Sequence, residues 1–186
     1  MSETLEQTRS GADLLGVLRT LETRCRAHAA GLPRGEPPPE MWHGVLFRVA
    51  DAALVAPISE IGEVLDVPRA ITRIPFTKPW VIGVANHRGT LLPIFDLQAF
   101  LFGGATARSA RNGVLVIRPG ELAFGLLVGE VVGIRHFPAG SQTAAPDLGS
   151  DLASLTLGEF ALEGQQCPIF SPLRLAANVR FGLAVA

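Results

Sequence analysis

The chain has 186 residues, 48% of them hydrophobic and only 18% charged, with a mean hydropathy of +0.33. Domains commonly run to about 100–200 residues, so the length suits one domain with a real core, and the apolar content excludes disorder over most of it. Sixteen basic residues against seventeen acidic ones give a net charge of −1; no stretch gathers the positive charge that a nucleic-acid or polybasic membrane surface needs.

From the start of the chain, Met1 to Asp13 is polar, carries Glu3, Glu6 and Asp13, and has no signal-peptide character. Leu14, Leu18, Leu21, Cys25 and His28 follow at spacings of 4, 3, 4 and 3, one stripe of a helix. Two readings stand for this helix: it packs on its own domain, or it is an arm (residues 1–30) that docks on a partner or a second copy. Gly31, Pro33, Gly35 and Pro37-Pro38-Pro39 then form a breaker-rich, semi-rigid linker over residues 31–40, ahead of a domain spanning 41–186.

Beyond the linker the pattern becomes one of short strands. Val45, Phe47 and Val49 alternate with Leu46 and Arg48, so both faces look largely buried, and Ala50-Asp51-Ala52 turns into Ala53–Ile58. Ser59–Asp66 is a short apolar-patterned segment, and Ile71 to Pro75 is a strand ended by proline. Val81–His87 and Thr90–Phe95 flank Arg88-Gly89 as a tight hairpin. Leu97–Phe102 is a short helix, capped by Asp96 and stopped by Gly103-Gly104.

After a loop at Ala105–Arg111 come strands at Gly113–Arg118, Leu122–Val128 and Val131–Phe137, then a second loop at Ala139–Ser150. Leu155–Leu157 and Phe160–Leu162 bracket Gly158-Glu159 as a further hairpin. Gln165–Phe170 is the last strand, and Ser171-Pro172 opens a helix to about Val179. Nine or ten short strands joined by turns argue against a doubly wound α/β sheet and for two small β-barrels that hide their edges.

Signs of catalysis are lacking. No G-x-S-x-G elbow, phosphate loop or G-x-G-x-x-G is present, and the carboxylates nominate no acid/base pair. His28, His43, His87 and His136 stand singly, none with a His or Cys at metal spacing, so neither metal nor cofactor is expected. Cys25 and Cys167 lie too far apart in sequence for a zinc or disulfide framework and are expected as free, mostly buried thiols. No run of about 18 apolar residues exists, Asp96 interrupting the most apolar stretch, and the expectation is a soluble, cytoplasmic protein.

The informative segment is Lys78 to Phe102, where Asn86, His87 and Arg88 form a polar cluster on a turn between strongly apolar strands. Pro93 implies an edge or a bulge. Arg88 is either an exposed turn residue or a donor fork fixed by a carboxylate and presented at an interface. The run G-V-A-N-H-R-G-x-L-L-P-I-F-D-L, Gly83 to Leu97, resembles the signature of the CheW-like adaptor domain of bacterial chemotaxis. Phe47-Arg48-Val49, Pro57–Val64, Ile71–Pro75 and the later apolar strands follow the family's order, so the resemblance covers about residues 42–180. The N-terminal helix, the proline linker, Trp42 and K-P-W-V-I-G-V-A-N resemble its PilI subgroup, which serves type IV pili and twitching motility.

The resemblance implies a mainly β fold of two small five-stranded SH3-like barrels with a few short helices, no catalysis and no cofactor. It implies a cytoplasmic adaptor that binds the regulatory domain of a CheA-type histidine kinase and the cytoplasmic tip of a methyl-accepting chemoreceptor. Asn86, Arg88 and Gly89 match the family's N-x-R-G turn; Gly83, Leu91, Pro93 and Asp96 match its flanks; Ile61 and Glu63 match the receptor-facing stretch. A Glu in that stretch can pair with the turn Arg, which favours Glu63 with Arg88 and leaves Glu60 as the rival. The family usually has Leu where His87 stands, so either His87 points outward or the receptor contacts differ. Two other readings remain: a CheW-like scaffold feeding a different output, and a small-ligand-binding barrel in which His87, Arg88 and Asp96 line a pocket for an anion.

Overall fold

The computed structural model of the chain describes residues 3–28, 40–144, 150–162 and 164–183. The chain divides into two compact units, Met1–Pro38 and Pro39–Ala186. The first holds helix α1, Glu3–His28. Leu18, Leu21 and Cys25 of the expected stripe are exposed, as are Leu15 and Val17; the side chains of Leu14 and His28 lie outside the described residues. Glu22 and Arg26 pair one turn apart at 2.8 Å. The Thr20 and Thr23 hydroxyls donate to the carbonyls of Gly16 and Arg19. The expected linker lies outside the described residues, Glu40 excepted.

The second unit is built of short strands: β1 (Met41–Val49), β2 (Ala52–Pro57), β3 (Glu63–Asp66), β4 (Ile71–Thr72), β5 (Val81–His87), β6 (Thr90–Asp96), β7 (Gly113–Ile117), β8 (Phe124–Val128), β9 (Glu130–Pro138), β10 (Thr156–Leu162) and β11 (Gln165–Phe170). Four short helices join them: α2 (Leu97–Phe102), α3 (Ser150–Ser154), α4 (Pro172–Ala176) and α5 (Val179–Gly182). One sheet has the order β10-β11-β2-β1-β9, the other β3-β7-β8-β6-β5-β4. The middle of the chain thus makes one sheet, and the flanking segments meet to make the other. This is the mainly β, two-part architecture expected, with six strands in the second sheet where five were anticipated. The strand expected from Ile71 to Pro75 is β4, only two residues long: Ile71 and Thr72 pair with Ala85 and Val84, and the ladder stops short of Pro75.

Strand periodicity explains the core. Side chains alternate across a strand, so one face of β1 sends Val45, Phe47 and Val49 into a core shared by both sheets while Leu46 points the other way. On β2, Leu54 and Ala56 join the shared core and Val55 the opposite one. The second sheet mirrors this: Leu115 and Ile117 of β7 and Phe124, Leu126 and Val128 of β8 enter the shared core, whereas Val114 and Val116 turn to a third cluster with Ala85, Leu92 and Ile94. Each sheet therefore has its own small core and both close over a common seam. Phe181 of α5 seals that seam, touching the rings of Phe95, Phe100 and Phe124.

Three expectations need correction. Gly158-Glu159 does not turn the chain; β10 runs through it with an irregularity between Thr156 and Glu159, where Thr143 bridges to Glu159. The helix opened by Ser171 ends at Ala176, and a separate turn restarts after Asn178, whose side chain accepts from the backbone N–H groups of Arg180 and Phe181. Of the two free thiols only Cys167 is buried; Cys25 is exposed on α1.

Candidate functional site

The β5–β6 hairpin projects a two-residue turn. His87 pairs with Thr90, leaving Arg88 and Gly89 between them with φ of 51° and 80°. Two positive φ values make a type I′ turn, whose twist suits a hairpin and whose preferred sequence is Asn-Gly. Glycine enters this region freely, but for arginine it costs about 1–2 kcal/mol. Asn86 holds the turn by accepting the Gly89 N–H at 2.9 Å.

Glu63, the first residue of β3, completes the cluster. In sheet order β3 and β5 are separated by β7, β8 and β6, so the sheet must curl for them to meet. Glu63 Oε1 accepts from Arg88 Nη2 at 2.6 Å, and Glu63 Oε2 lies 3.2 Å from His87 Nε2. The Glu63 and His87 side chains are 22% and 17% exposed, that of Arg88 74%. A sheltered carboxylate with both oxygens engaged thus steadies an outward guanidinium whose other donors face solvent. Leu91, 73% exposed, stands opposite Asn86 and adds an exposed apolar side chain to the hairpin end.

Glu60, the rival partner for Arg88, is committed elsewhere. Its Oε2 accepts the Ser171 hydroxyl at 2.8 Å and the Leu173 N–H at 3.0 Å, at the start of α4. His87 does not point outward; it is largely covered and shares the Glu63 carboxylate with Arg88. Ile61 is half-buried against the shared core. Gly83 is buried where β4 crosses β5, with φ of 148° and no room for a Cβ, which would overlap the Thr72 carbonyl. Asp96 is buried and saturated, accepting from the Ala99 N–H at 3.0 Å and from the Thr106 N–H and hydroxyl, both at 2.7 Å. Gly83 and Asp96 are therefore supports of the hairpin, while Glu63, Asn86, His87, Arg88, Gly89 and Leu91 gather at its tip.

The anion-pocket arrangement does not form. Asp96 lies at the far end of β6 from the turn, about 20 Å away at ~3.3 Å per residue, with its oxygens occupied by Thr106 and α2. Two features near it carry no sequence signal. Arg180 stacks over Trp80 at 5.2 Å and over Phe100 at 4.7 Å, and donates to the Phe100 carbonyl at 2.8 Å. Thr106 reaches Asp96 from a loop that looked like a mere spacer. Both contacts bridge separate parts of the chain, so no local spacing announces them. Elsewhere, burial pushes the Cys167 thiol up to about 11, the Arg48 charge working weakly the other way. Among the described residues no group of three or more His, Cys, Asp or Glu gathers to hold a metal, and no helix is long and apolar enough to cross a membrane.

Comparison with known proteins agrees with this fold. The CheW-like domain family model matches residues 43–180. Protein PilI of Pseudomonas aeruginosa is 40% identical over 89% of this chain and 92% of its own length. Protein FrzA of Myxococcus xanthus is 34% identical over 72% of this chain and 86% of its own. Chemotaxis protein CheW of Rhizobium meliloti is 32% identical over 65% and 78%. Among solved structures, scaffolding protein TtCheW from Thermoanaerobacter tengcongensis is similar with a TM-score of 0.64 at 21% identity, covering 75% of this chain and 89% of that one. At that identity the structural likeness speaks for the fold.

Proposed function

The chain belongs to the CheW-like domain family, and on that footing we propose that it joins the cytoplasmic tip of a methyl-accepting chemoreceptor to the regulatory domain of a CheA-type histidine kinase. It is a chemosensory scaffold rather than an enzyme, working in the cytoplasm in a system that controls type IV pili and twitching motility. The pilus assignment rests on the 40% identity to Protein PilI across nearly both whole chains.

The observation that carries the reading is Arg88. A strained left-handed arginine at a hairpin tip is a local loss of stability, and a fixed, outward donor fork is what that conformation provides. Such outliers concentrate at functional sites. The fork offers a partner an arginine anchor, a residue type enriched at interfaces and hot spots, and the exposed Leu91 adds apolar area on the same hairpin. Glu63, Asn86, His87 and Gly89 hold the anchor in place, with Ile61, Gly83 and Asp96 behind them.

Calorimetry against the regulatory domain of the cognate CheA-type kinase tests the scaffold role, with the full chain and with a chain lacking residues 1–40. Binding by both places the kinase surface on the β unit. Binding lost only on truncation makes the N-terminal arm the dock. Absence of binding by the full chain overturns the kinase coupling. A scaffold feeding a different output is the second reading, favoured by the match to a relative named as chemotaxis protein CheW; loss of twitching in a deletion strain, restored by the chain, decides against it.

A further inference from the structure

The four histidines stand singly in the sequence, but strand register brings two of them together. β1 and β9 are antiparallel neighbours, and His43 is the direct cross-strand partner of His136. Their rings meet edge to face with centroids 4.6 Å apart, and the two Nδ1 atoms are separated by 3.1 Å. Both residues are exposed. They continue the face of β1 that carries Val45, beyond the end of the shared core.

We propose that His43 and His136 form a two-histidine chelate for a divalent transition metal of the zinc, nickel or copper class. A zinc–imidazole bond is about 2.0–2.1 Å long, so two ligands on one ion at roughly 90–110° lie about 2.9–3.4 Å apart. The observed separation of 3.1 Å falls inside that window. Imidazole nitrogen selects these metals over magnesium and calcium, which want oxygen. The ladder already fixes both backbones, so little ordering remains for the ion to impose.

Without metal, one Nδ1–H donates to the other Nδ1. On binding, that hydrogen bond gives way to two nitrogen–metal bonds, and the donor ring changes tautomer: Nδ1 releases its proton to water and the exposed Nε2 takes one up, so the ring stays neutral. Only two protein ligands are supplied, since no third His, Cys, Asp or Glu joins them among the described residues. Water fills the open positions, and the ion exchanges readily. Because β9 is an edge strand, the ion would clip that edge to β1 and stabilise the folded chain by mass action.

Titration of the full chain with zinc chloride in a non-chelating buffer at neutral pH tests this, with magnesium chloride as the control salt. The expected result is saturable heat for one zinc per chain, with a rise in melting temperature, and no response to magnesium. Both effects are lost in His43→Ala and in His136→Ala and kept in His28→Ala. His136→Gln, which retains a polar side chain on the exposed face, replaces the alanine variant if circular dichroism shows that one to be misfolded. The absence of saturable zinc binding in the wild type overturns the chelate, as does wild-type binding by either single-site variant.

Discussion

The two ends of the β5–β6 hairpin are built on opposite principles. At its base, Trp80, Phe95 and Asp96 are packed against α2 and α5, Asp96 is saturated with hydrogen bonds, and aromatic rings close the shared core. At its tip, a strained backbone carries an exposed arginine held by one sheltered carboxylate. The base is packed and capped, though the Trp80 indole N–H is buried without a partner and the register shifts between Val81 and Gly83; the tip is exposed and puts a non-glycine residue at positive φ. Stability is therefore concentrated at one end of the hairpin, and the proposed recognition at the other, where the backbone preference of Arg88 is overruled.

Substitutions can break or sharpen this contrast. Phe100→Ala at the base opens a cavity among Trp80, Phe181 and the Arg180 guanidinium; unfolding in urea should show a loss of about 3–5 kcal/mol. A loss below ~1 kcal/mol, less than an ordinary core truncation, would mean the seam is loosely packed. Asp96→Ala removes the α2 cap and strands the Thr106 donors, and should lose about 2–4 kcal/mol by the same measurement.

A pH scan separates the cores from the tip. Burial pushes the folded Cys167 thiol up to about 11 from an ordinary 9.0, so between those values the folded state holds a proton that the unfolded state has released. Stability from this group is therefore complete below pH 9.0 and is lost as pH rises toward 11. The usual groups that titrate there are Lys and Tyr, and the chain has one Lys and no Tyr. Urea midpoints should fall over that range in the wild type and fall less in Cys167→Val; equal slopes would contradict the assignment.

The smallest stability effect belongs to the tip. Arg88→Gly gives up an exposed ion pair worth about 0–1 kcal/mol and relieves a left-handed backbone costing about 1–2 kcal/mol. Its urea midpoint should equal or exceed that of the wild type. A clear drop would make Arg88 a structural residue and dissolve the contrast.

What the sequence disclosed follows the reach of each interaction. The Asp96 cap and the bounds of α2 were legible because capping acts over three residues, and the two buried faces of β1 were legible from alternation. Which core each face enters was not, since that depends on how two sheets meet. The residues alone left Arg88 either free or paired; the family resemblance narrowed the partner to Glu63 or Glu60, and only geometry separates two carboxylates three positions apart. Glu60 is taken by Ser171 and Leu173, far along the chain. The His43–His136 contact likewise exists only through register, and Gly158 looked like a turn because a bulge glycine and a hairpin glycine have the same composition.

The most direct test of the central claim is receptor-stimulated kinase activity, reconstituted from the receptor's cytoplasmic fragment, the kinase and either the wild-type chain or Arg88→Gly. The account predicts that the variant, as stable as the wild type in urea, loses receptor control of the kinase. Normal receptor control by an equally stable Arg88→Gly chain would contradict it and remove the hairpin tip from the partner surface.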